Sequence, residues 1–111
     1  MKLPEEYEFI GFFESEPIFS SYHEVQFFVK RGDDEVAVDI YAPSGKFKIT
    51  WKNSDRQLIS MKLTQLDFIS IDSLSKDELL TVSGTFPDGS IILKLRLKPF
   101  VSVEFDQRFT Y

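Results

Sequence analysis

The sequence predicts a mainly β fold: an antiparallel meander of about seven strands curled into a sandwich or half-barrel, with an irregular or short helical N-terminal segment. Three observations predict it. Between Tyr22 and Trp51 apolar and polar residues alternate in successive short passes, Val25-Phe27-Val29, then Val36-Val38-Ile40, then Phe47-Ile49-Trp51. A period of two is the signature of strands with one buried face. Turn residues separate the passes, as at Gly32-Asp33-Asp34 and Pro43-Ser44-Gly45. The chain also carries 12 Phe, 4 Tyr and 1 Trp, side chains that suit pleated surfaces and fill a core.

The N-terminal twenty residues are the least regular. Pro4, Glu5 and Glu6 suit a first helical turn, with acids at the positive end of the helix dipole. Tyr7, Ile10 and Phe13 would then form one apolar side. Phe9-Ile10-Gly11-Phe12-Phe13 reads equally as a strand, so helix and strand both stand.

Strands are expected over about 22–31, 35–41 and 46–52, joined by the turns above. Asn53-Ser54-Asp55 turns the chain into a long run from Arg56 to Ile71. There Ile59, Met61 and Leu63 share one parity, and Leu66 and Phe68 the other. That phase switch predicts a bulge or a break near Thr64-Gln65. Ser73 to Asp77 is polar and reads as a loop or one helical turn. Leu80 and Val82 lead through Gly84 to Phe86, and Pro87-Asp88-Gly89-Ser90 is a turn in which Gly89 takes the left-handed position. Ile91, Leu93, Leu95 and Leu97 then alternate with polar partners until Pro99, which cannot donate to a ladder. Val101, Val103 and Phe105 form the last strand.

At 111 residues the chain is expected to be one β-rich domain spanning 1–111. It has 13 basic and 18 acidic residues, a net charge of −5. That balance argues against nucleic acid and against an anionic membrane surface as partners. It is compatible with a basic protein partner. Without cysteine, neither disulfides nor thiolate metal sites can form. Met1-Lys2-Leu3-Pro4-Glu5-Glu6 carries early charges and no long apolar run, so no signal peptide is expected, and the expected location is cytoplasmic.

No catalytic set emerges, and the protein is not expected to be an enzyme. The single histidine, His23, shares parity with Val25 and Phe27 and is read as a structural residue facing the core rather than a general base. Asp33, Asp34 and Glu35 are consecutive at a turn, where Asp bonds local backbone. They lack the alternate spacing of a calcium loop. No phosphate loop, zinc spacing or dinucleotide fingerprint occurs, so no catalytic residue, cofactor or metal is assigned.

One surface constellation stands out. If the first two strands pair through the Asp33-Asp34 turn, Phe28 lies opposite Asp39 and Gln26 opposite Tyr41. Tyr22, Glu24, Phe28, Asp39 and Tyr41 then form an outward patch of aromatics and acids that could receive a basic partner. The competing arrangement, which packing favours, covers Phe28 and Tyr41 with Phe12 and Phe13 of the N-terminal segment.

Phe19-Ser20-Ser21-Tyr22-His23-Glu24-Val25, followed by a hydrophobic hairpin, resembles the opening of a bacterial immunity-protein family of polymorphic toxin systems, immunity protein fifty. That family's "His-Asp-Ala-Glu-Val"-like element is matched here only by His23, Glu24 and Val25, with its Asp and Ala missing. Gly84-Thr85-Phe86 and the stretch from Leu93 to Glu104 are similar to the family's final strands, so the resemblance spans residues 19–105. It implies a non-enzymatic inhibitor that binds a cognate secreted toxin domain and blocks its active site. It supplies no transferable binding residues, because such interfaces vary with the toxin. The alternative is a small β-barrel-like binding or interaction domain whose aromatic-lined interior holds an unknown ligand. Free strand edges also permit a homodimer.

Overall fold

The hairpin turn at Gly32-Asp33 sets the register of the first sheet. In the computed structural model, which describes residues 1–73 and 78–109, Gly32 adopts a φ of 59° and Arg31 pairs directly with Asp34. Only two residues make the corner, with the left-handed backbone that glycine supplies without steric cost. The element order is α1 (Glu6–Phe13), β1 (Phe19–Ser20), β2 (Glu24–Arg31), β3 (Asp34–Tyr41), β4 (Lys46–Asn53), β5 (Arg56–Leu63), β6 (Phe68–Asp72), β7 (Leu79–Phe86), β8 (Gly89–Arg96) and β9 (Ser102–Phe109). The strands form a five-stranded sheet, β1-β2-β3-β4-β5, and a four-stranded sheet, β6-β7-β8-β9, with every neighbouring pair antiparallel.

The described residues thus hold nine strands rather than about seven. The difference comes from the two-residue β1 and from the break in the long run after Arg56. There β5 ends at Leu63 and β6 begins at Phe68 in the other sheet. The phase switch marks a crossover between layers, with Gln65 at a φ of 57°. A register shift does occur nearby, but between Trp51 and Lys52 on β4. The polar stretch 73–77, expected as a loop or helical turn, falls outside the described residues except at Ser73.

The crossover is held by two glycines. A side chain on Gly45, itself at a φ of 61°, would meet the Leu66 carbonyl at 2.7 Å and the Leu66 nitrogen at 2.9 Å. One on Gly84 would meet the Gln65 carbonyl at 3.0 Å. The notch lets the Leu66 N–H donate to the Gly45 carbonyl at 3.0 Å while its side chain is buried.

The N-terminal segment is a helix. The Glu5 backbone N–H donates to Glu8 Oε2 at 2.9 Å, satisfying one of the donors a helix start leaves over. Phe9, Phe12 and Phe13 are the buried side of α1, a spacing of three and four that a helix places on one face. Tyr7, expected on that side, is 73% exposed. Phe13 stacks on Phe27 of β2 with ring centroids 4.4 Å apart, and Phe9 lies 5.8 Å from the same ring. Burying each such ring contributes about 1.5–3 kcal/mol. Just past the helix, Glu14 in left-handed conformation binds Arg31 of β2 at 3.1 Å and also contacts Lys98.

The inward residues of both sheets share one core with α1, including Val36, Val38, Ile40, Phe47 and Ile49 from the first sheet and Leu80, Val82, Leu93 and Leu95 from the second. The sheets do not close on each other, so the barrel of the alternative reading is not formed. Core filling accounts for only part of the phenylalanine excess. Of the 12, Phe9, Phe12, Phe13, Phe27 and Phe47 are buried, while Phe19, Phe28, Phe68, Phe100, Phe105 and Phe109 are exposed.

Trp51, expected in the core, is half-buried and packs at its margin. Its polar edge explains this, since Nε1 reaches Asp34 at 2.9 Å. Gly89 differs from expectation as well. It is not a left-handed turn residue but the first residue of β8, and any side chain there would strike the Arg108 carbonyl of β9. Close approach of two strands, rather than φ, is what requires glycine.

Candidate functional site

Register places the predicted patch on the outer face of the five-stranded sheet. Because the two corner residues are Gly32 and Asp33 rather than Asp33 and Asp34, partners across β2 and β3 differ from those expected. Phe28 lies opposite Ala37, Gln26 opposite Asp39, and Glu24 opposite Tyr41. Moving the two-residue corner by one position displaces the ladder by two residues, which keeps every residue on its face but changes its neighbours.

The structure brings Glu24, Asp39 and Tyr41 together. With Lys46, Lys48 and Lys62 they line a groove of about 410 Å³. Gln26 organises its acidic side, as its side-chain nitrogen donates to Glu24 Oε2 at 3.2 Å and to Asp39 Oδ2 at 3.3 Å. Asp39 Oδ1 is buried and accepts no hydrogen bond among the described residues. Such an oxygen costs free energy until a donor reaches it.

Tyr22 stands apart from this groove. It is 94% exposed and lines a separate hollow with Glu6 and His23. His23 joins the two regions, since its ring lies 5.0 Å from Tyr22 and 6.3 Å from Tyr41, centroid to centroid. This corrects the core-facing placement of His23. The residue precedes β2 in an exposed turn, where its N–H donates to Ser21 Oγ at 3.3 Å and its carbonyl accepts from Ala42 at 3.1 Å. Alternation had been extended one residue past the end of the strand.

Phe28 sits one row beyond Asp39, on the same face, 41% exposed, and Tyr41 is 39% exposed. The N-terminal segment does not cover them. Phe12 and Phe13 pack on the opposite side of the sheet, against Phe27 and the core. The favoured packing had assigned them the wrong face.

Sequence reasoning missed the lysines and Phe19. Lys48 pairs across β4 and β5 with Lys62, and Asp39 with Lys48, so one row runs Phe19, Gln26, Asp39, Lys48, Lys62. The signal was available, because Lys46 and Lys48 alternate with Phe47 and Ile49. Two like charges directly opposite one another are unfavourable for a sheet alone. The face therefore has an acidic and aromatic half on β2–β3 and a cationic half on β4–β5. A second hollow, of about 550 Å³, lies on the four-stranded sheet and is lined by Ser83, Lys94, Glu104 and Asp106 among others.

Among the described residues no group of three or more His, Asp or Glu side chains is placed to hold a metal ion. No described helix is long and apolar enough to cross a membrane.

The chain is similar in structure to a chain of the contact-dependent growth inhibition toxin–immunity protein complex from Klebsiella pneumoniae 342. The TM-score is 0.86 over 96% of each chain, at 17% sequence identity. The two share a fold. No protein-family model and no curated protein sequence matches this chain.

Proposed function

We propose that this protein is an immunity protein: a non-enzymatic inhibitor that binds a cognate toxin domain in the cytoplasm and neutralises it. The observation that carries the reading is the near full-length likeness to a chain of a toxin–immunity complex. The resemblance of residues 19–105 to an immunity-protein family points the same way from the sequence. A binder that works by surface needs a rigid platform, and a five-stranded sheet backed by a packed core provides one.

The binding surface is the outer face of that sheet, centred on Glu24, Phe28, Asp39 and Tyr41 and bordered by Tyr22. Phe28 and Tyr41 supply exposed aromatic anchors, which dominate protein interfaces. The Glu24–Asp39 pair, bridged by Gln26, offers a site for a basic side chain of the toxin. The neighbouring lysines accept a carboxylate beside it, so recognition is bipolar rather than a simple acid-to-base match.

The test is titration of the purified chain into the C-terminal domain of the protein encoded by the adjacent gene, where a cognate toxin is expected, with binding followed by calorimetry. A stable complex is expected. Tyr41→Ala and Asp39→Lys should weaken it by at least about tenfold each, the loss of about 1.4 kcal/mol or more that an anchor residue represents. Tight binding unaffected by either change would move the interface elsewhere; no binding at all would overturn the reading.

A further inference from the structure

We infer that β9 is a self-recognition edge through which two copies of this chain pair, joining their four-stranded sheets into one continuous eight-stranded sheet. The inference is independent of the proposed toxin-binding face, which lies on the other sheet. A bare strand edge invites pairing, and folded proteins protect their edges by shortness, bulges, charge or cover. The other edges here are protected. β1 is two residues long, β5 has a register shift against β4, and β6 is bridged at Phe68 by Lys2. β9 runs eight residues in unbroken register with β8.

The sequence of that edge matches itself when reversed. Residues 105–109 read Phe-Asp-Gln-Arg-Phe. An antiparallel pairing centred on Gln107 sets Phe105 opposite Phe109 of the second copy and Asp106 opposite Arg108, each twice by symmetry. Aromatic and opposite-charge cross-strand pairs both favour such a ladder. The faces agree as well, since partners in an antiparallel ladder share a side of the sheet and the centre falls on a residue rather than between two. Phe105 and Phe109 lie on the side of Leu93 and Gly89, their partners in β8, yet are 42% and 55% exposed. Within one chain, Arg108 donates to Asp106 at 3.0 Å, an exposed pair that is exchanged at little cost for the inter-chain one. A strand edge is a small interface, so the dimer is reversible and forms with rising concentration.

Sedimentation velocity over a concentration series tests this. The native chain should shift from monomer toward dimer. D106R and R108D should each remain monomeric where the native chain dimerises, because each sets like charges opposite one another, and circular dichroism confirms that both stay folded. Mixing the two variants in equal amounts should restore the dimer, since opposite charges face each other again. The chain has no cysteine, so Q107C provides a second readout. Opposed strand residues lie within disulfide reach, and Q107C should cross-link to itself while D106C, facing position 108, should not. A native chain that stays monomeric throughout overturns the proposal. So do variants that dimerise like the native chain, or a mixture that fails to recover.

Discussion

Trp51 donates its indole N–H to Asp34 Oδ1 at 2.9 Å, and Asn53 donates to the same oxygen at 2.8 Å. One carboxylate thus ties the start of β3 to the end of β4, where Asp34 and Asn53 are ladder partners. The hydrogen bond from Asn53, and then that from Trp51, holds the Asp34 carboxyl below the usual aspartate range.

Acid stability follows from this. A carboxyl that binds protons less readily when folded adds stability above its unfolded pKa, and the contribution disappears as pH falls through the lower folded value. Asp34→Asn keeps an acceptor oxygen but removes the charge. It should be less stable than the native protein at neutral pH, with the gap closing in acid. Urea midpoints measured across pH check this; a gap that does not change with pH contradicts it.

Trp51→Ala loses a half-buried ring together with its hydrogen bond. A cost of about 2–3 kcal/mol is expected, below the range for a fully buried tryptophan. A near-zero change in denaturation midpoint would mean that the ring adds nothing to the core margin.

The glycines separate two kinds of strain. Gly45→Ala combines a left-handed backbone with a backbone clash against Leu66 and should cost about 2–4 kcal/mol. Gly32→Ala meets open space at a similar φ and should cost about 1–2 kcal/mol. Gly11→Ala, inside α1 with nothing near, should stabilise by about 0.5–1 kcal/mol. Thermal melts of the three rank them; equal effects at positions 32 and 45 would leave the notch without energetic weight.

The net charge of −5 makes a prediction about kinetics. If the acidic chain is drawn to a basic toxin by its field, association slows markedly as salt is raised. Stopped-flow association rates that ignore ionic strength would remove electrostatic steering from the account.

Much of the first sheet was legible because its strands are half-buried and alternate cleanly, as Phe47-Ile49 against Lys46-Lys48 shows. The last strand was harder. Phe105 continues the alternation of Val101 and Val103, but its side of the sheet is uncovered at that end, and local pattern does not report what covers a face. The helix was ambiguous because Phe9, Phe12 and Phe13 fit a helical stripe within a run that also contains Ile10. Which face that stripe seeks is a tertiary choice. Register failed for a related reason, since Gly32-Asp33-Asp34 admits a two-residue corner at Gly32-Asp33 or at Asp33-Asp34 and only the ladder decides. Glu24, Phe28, Asp39 and Tyr41 share one face as expected because face parity survives a shift of two; their neighbours, Gln26 and Lys48, depend on the register itself.

The most direct measurement is growth of cells that produce the C-terminal domain encoded by the adjacent gene, the proposed cognate toxin, with and without this protein. Full growth in its presence is expected, with protection reduced by Asp39→Lys or Tyr41→Ala at unchanged protein level. Growth arrest that persists despite abundant folded protein would contradict the account.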